Sequence, residues 1–148
     1  MVAIFALAAS SPTSESLLLG GLAALPALWL RAWAFAHLGG RGRTRDPAPP
    51  AGRVRGGPYG WATHPVYVAN VGLAAAMLVA GRPAVAFSAP LLALVAGFYA
   101  VLGARESAQL VSLPTVDRPP DWRSVPRWER STWATTAAWF VALAIRLG

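Results

Sequence analysis

The chain has 148 residues, 55% of them hydrophobic and only 13% charged, with a mean hydropathy of +0.46. Soluble domains carry about 25% charged residues, and a chain this short cannot hide such an apolar excess from water, which argues against a soluble globular domain and against disorder. Thirteen Arg residues and no Lys face six acidic residues, for a net charge of +7, and the Arg residues fall between apolar runs; that is a membrane pattern rather than a nucleic-acid one.

Residues 1–9 are apolar but about half a span long, and Ser10, Ser11 and Pro12 break them. No basic region precedes them as in a signal peptide, so they read as an interfacial lead-in. Residues 17–38 form the first predicted span, with Ser14 or Ser16 as N-cap and Gly39-Gly40 as stop. Pro26 is expected to kink it. Trp29, Trp33 and His37 fall near its end, where amphipathic rings prefer the headgroup level. Residues 39–64 are polar and rich in Gly, Pro and Arg. A second span is predicted at about 65–80 and a third at about 84–103, joined by Gly81-Arg82-Pro83 into an antiparallel hairpin. Gly72, Ala76 and Ala80 share one face, the spacing that lets membrane helices approach closely.

Residues 104–130 form the second polar stretch, its first part continuing the helix to about Leu110. Trp122, Val125 and Trp128 oppose Arg123, Arg127 and Arg130, with Pro126 between them, which predicts a segment lying on the membrane surface. The last span is predicted at 131–147, with Arg146 at its far end and Trp133 and Trp139 facing the belt or lipid. The expected fold is all-α: a single multi-pass membrane domain, 1–148, of four spans. Arg41, Arg43, Arg45, Arg53 and Arg55 lie in the first long loop. Arg105, Arg118, Arg123, Arg127 and Arg130 lie in the second, and only Arg82 and Arg146 lie opposite. The positive-inside rule then puts both loops on the cytoplasmic face of the inner or plasma membrane and both termini outside. Such an Arg run also suits anionic lipids.

The absence of Cys removes disulfides, thiolate metal sites and a cysteine nucleophile, and His37 and His64 are too few for a histidine metal cluster. Polar chemistry concentrates where the first loop enters the second span. His64 stands at a helix start with Pro65 in the first turn, beside backbone N–H groups able to hold an anion. Tyr67 and Asn70 share a face, and Asn70, inside the helix, needs a partner or a ligand.

Gly57-Pro58-Tyr59, His64-Pro65-Val66-Tyr67, the hairpin, Glu106-Ser107-Ala108-Gln109-Leu110 and Val125-Pro126-Arg127-Trp128 follow one another in an order and spacing that resemble the isoprenylcysteine carboxyl methyltransferase family and its phospholipid methyltransferase relatives. The resemblance covers about half the chain. It implies a small membrane enzyme that transfers a methyl group from S-adenosylmethionine to a lipophilic or lipid acceptor. It implies a cofactor site drawn from Tyr59, His64, Pro65, Tyr67, Asn70, Glu106, Arg127 and Trp128. Glu106 would serve the cationic end. His64, backbone N–H groups or Arg127 would serve the carboxylate, and the aromatic rings the adenine and sulfonium. No general base is required for a carboxylate acceptor, so alignment and exclusion of water would carry the rate, with Arg127 the one side chain open to a catalytic role. Thr63 and Ser107 stand where the family carries Arg and Glu, and they favour the alternative of a non-catalytic protein of the same fold. A nicotinamide-dependent membrane reductase is a weaker alternative, since no phosphate-binding Gly motif is present.

Overall fold

The computed structural model describes residue 7 and residues 9–38 and 52–148. The Gly39-Gly40 stop, Arg41, Arg43 and Arg45, and most of the 1–9 lead-in lie outside the described residues. The described chain is helical: α1 (Ser14–Leu38), α2 (Pro65–Gly81), α3 (Val85–Leu110) and α4 (Val125–Leu147), with a short 3-10 turn at Gly57–Gly60. Two-residue strands β1 (Arg53–Val54) and β2 (Thr115–Val116) pair in parallel. By length and composition α1 and α3 are each able to cross a membrane, and α2 is a shorter apolar helix of 17 residues.

Local chemistry accounts for the helix ends. Thr13, rather than Ser14 or Ser16, caps α1: its Oγ1 accepts the Ser16 N–H at 3.1 Å, and Ser16 Oγ accepts the Thr13 N–H at 2.9 Å. This is a capping box closed by Ser in place of Glu. α1 runs on through Pro26, as α3 does through Pro90. α2 starts at Pro65, whose fixed φ suits a first turn. It ends at Arg82, left-handed at φ 45°, whose N–H donates to Leu78 O at 2.9 Å. Residues 125–130, expected as a separate surface segment, are instead the first turns of α4. Pro126 sits in that helix's first turn, where the missing N–H costs nothing, so it starts the helix rather than interrupting it.

The small-residue face of α2 packs on α1. A Cβ on Gly20 would come within 2.5 Å of the Ala80 Cβ, so only glycine permits this approach. Ala24, Ala27, Leu73 and Ala76 continue the seam, and Ser16 Oγ donates to Ala80 O at 2.9 Å. Trp139 is buried rather than lipid-facing: its indole N–H donates to Met77 O at 3.3 Å and ties α4 to α2. His37 is also buried, and its Nδ1 donates to Trp33 O at 3.1 Å. Outer faces remain apolar, with Leu18, Leu22 and Leu25 of α1 and Leu94, Phe98 and Val101 of α3 exposed.

Candidate functional site

The two polar loops meet at one end of the helices. The Arg53 N–H donates to Pro114 O at 2.8 Å and the Arg55 N–H to Val116 O at 3.3 Å, so the chain after α1 is stitched to the chain after α3. Beside this stitch lies a cavity of about 320 Å³. Four of the eight candidate residues line it: Tyr59, His64, Tyr67 and Glu106. They are joined by Arg53 and by apolar side chains that include Phe35, Leu38, Val54 and Leu110.

Glu106 is the centre of the polar arrangement. Its Oε1 accepts the Tyr67 hydroxyl at 2.5 Å, and its Oε2 lies 3.5 Å from His64 Nδ1. His64 Nε2 is 2.7 Å from Ser107 Oγ. The carboxylate favours the proton on Nδ1, which leaves Nε2 to accept from the Ser107 hydroxyl; this tautomer is assigned from the network. The His64 ring stacks on Tyr67 with centroids 5.2 Å apart, and Tyr67 lies 5.1 Å from Tyr99. A Cβ on Gly103 would press to 3.1 Å of His64 Cδ2, so the bare backbone of α3 makes room for the ring. Burial, and then the nearby Glu106 carboxylate, push the Tyr59 phenol well above its ordinary range, so it stays a neutral donor.

The other candidates sit elsewhere. Pro65 is buried under the start of α2. Arg127 and Trp128 are not among the residues lining this cavity; the Arg127 guanidinium lies over the Trp128 ring at 5.5 Å. Asn70 has found a protein partner: its Oδ1 accepts from Arg31 Nη1. Arg31 also binds Glu129 through Nε to Oε2 at 2.7 Å and Nη2 to Oε1 at 3.2 Å. Arg31 is 8% exposed and Glu129 0%, so one interior polar group joins α1, α2 and α4.

Sequence reasoning gave no role to Arg31 or Glu129, and it read Arg53, with its loop neighbours, for topology and anionic-lipid binding. A lone Arg inside an apolar run and a single acid amid Arg residues were the available signals. A second groove, bordered by Leu25, Trp29, Trp122, Val125 and Trp133, is almost wholly apolar, and Trp29 stacks on Trp122 at 5.4 Å. No protein-family model, curated protein or solved structure matches this chain.

Proposed function

We propose that the chain is a multi-pass helical membrane protein that transfers a methyl group from S-adenosylmethionine to a lipophilic acceptor at its arginine-rich end. One observation carries this reading: a Glu106 carboxylate, held by Tyr67 and His64, in a cavity walled by aromatic rings. A sulfonium cation and its ammonium neighbour call for a carboxylate and π faces together. A volume of about 320 Å³ lies in the range of small-ligand sites, about 300–1,000 Å³. The residues present therefore fit the cofactor.

When bound there, the cofactor supplies an electrophilic methyl group. The chain's own part is to fix the cationic end against Glu106, keep Tyr59 and Tyr67 protonated as donors, and exclude water with Phe35, Leu38 and Leu110. A carboxylate or amine on a lipid would approach from the bilayer side. The membrane reading draws on the apolar outer faces of α1 and α3, on the joining of both Arg-bearing loops at one end, and on Arg82 at the α2–α3 turn opposite. With the loops cytoplasmic by the positive-inside rule, α1 to α4 supply the four spans and both termini lie outside.

Calorimetry with S-adenosylmethionine and S-adenosylhomocysteine on the protein in detergent tests the proposal. Saturable binding lost in Glu106→Ala and His64→Ala is the expected result. No binding by a folded parent protein overturns it in favour of a non-catalytic relative.

A further inference from the structure

We infer that Arg53 and Glu106 form a two-point receptor for the α-amino-acid end of the ligand, with Arg53 taking the carboxylate; this rests on the methyltransferase reading of the same cavity. Arg53 and Glu106 are the cavity's arginine and its acid, yet no ion pair joins them. Glu106 has its oxygens turned to Tyr67 and His64. Arg53 as a residue is half-buried, and no hydrogen bond or ion pair joins its guanidinium to another described residue. The planar fork of a guanidinium takes a carboxylate bidentately, through two parallel charge-assisted hydrogen bonds.

Of the other side chains, His64 and Tyr67 are already engaged and Arg127 is placed elsewhere. Both ring nitrogens of His64 face protein partners, Glu106 and Ser107. The Tyr67 hydroxyl is given to Glu106, and Arg127 does not line the cavity. Arg53, by contrast, is held in place by its backbone: its N–H is bound to Pro114 O at 2.8 Å, and it stands opposite Thr115 in the β1–β2 pair. A cation and an anion that line one cavity without neutralising each other match a zwitterion, whose ammonium goes to Glu106 and whose carboxylate goes to Arg53.

The test compares two ligands on the full-length protein in detergent. S-adenosylmethionine carries the amino-acid end, and 5′-methylthioadenosine keeps the adenosine and the sulfur without it. Arg53→Gln is expected to weaken S-adenosylmethionine about tenfold to a hundredfold and to leave 5′-methylthioadenosine within about twofold. Arg53→Lys should recover part of the loss. Arg55→Gln, the same charge change two residues along on an exposed side chain, should alter neither ligand. Unchanged S-adenosylmethionine affinity in Arg53→Gln, or an equal loss for both ligands, overturns the inference while leaving the methyltransferase reading intact. A folded parent that binds neither ligand overturns both. Circular dichroism and size-exclusion profiles matching the parent establish that each variant is folded.

Discussion

Arg31 and Glu129, 98 residues apart in the chain, meet as a bidentate ion pair in the interior, with the shorter contact at 2.7 Å. Asn70 completes the group from the helix between them. The geometry satisfies a charge that an apolar helix could not otherwise carry. Removing one partner takes from the other its bidentate counterion. Arg31→Met or Glu129→Gln is expected to destabilise the protein by about 3–5 kcal/mol, and the apolar double replacement to recover most of that loss. Asn70→Ala should cost about 1–2 kcal/mol. Denaturant titration in mixed micelles measures all four variants.

Two adjacent glycines in α1 should respond with opposite sign. A methyl group at Gly20 runs into Ala80, whereas one at Gly21 meets only the Phe140 ring at 3.9 Å, an ordinary contact. Gly20→Ala is expected to destabilise the α1–α2 seam by about 1–3 kcal/mol. Gly21→Ala should gain about 0.5–1 kcal/mol from helix propensity. Thermal unfolding of the two variants beside the parent decides it.

Binding should separate charge from support at Glu106. Glu106→Gln removes the charge and is expected to weaken S-adenosylmethionine by about 1.5–3 kcal/mol, the range for a hydrogen bond to a charged group. Tyr67→Phe removes only the hydroxyl that holds Oε1 and should cost about 0.5–1.5 kcal/mol. Equal effects of the two changes would show that Glu106 acts through Tyr67 rather than on the ligand.

Tyr59 offers a pH test. Its folded-state value lies above the ordinary one of 10.0, so the native protein holds this proton longer than the unfolded chain does. The resulting stability is complete below about pH 10 and is lost as pH rises beyond it. Near-ultraviolet titration of the three tyrosines should leave Tyr59 un-ionised past that point, with its phenolate signal appearing on unfolding. Tyr59→Phe should remove one tyrosine's share of that late signal.

Much of the helix pattern was legible because apolar runs, prolines and the Gly81-Arg82-Pro83 turn are local signals. The start of α4 was not, because Pro126 reads as a breaker unless it is known to lie in a first turn. The cap on α1 moved to Thr13 because Ser can close a capping box where Glu is the usual sign. Within the site, His64, Tyr67 and Glu106 were legible from short motifs, and the α2–α3 hairpin brings those motifs together. Arg53 was hidden among loop arginines, since what selects it is a two-residue strand pairing across 62 positions of chain with no periodicity of its own. Arg31 and Glu129 were hidden for the same reason: partners so distant leave no local mark.

The stacked indoles of Trp29 and Trp122 join α1 to the segment that leads into α4, with rings 5.4 Å apart and inclined by 21°. Two chromophores so close couple their electronic transitions, and the coupled circular-dichroism band vanishes when they part. The molecule thus carries an optical gauge of whether its second polar loop is seated, readable without a label while ligand or lipid is added.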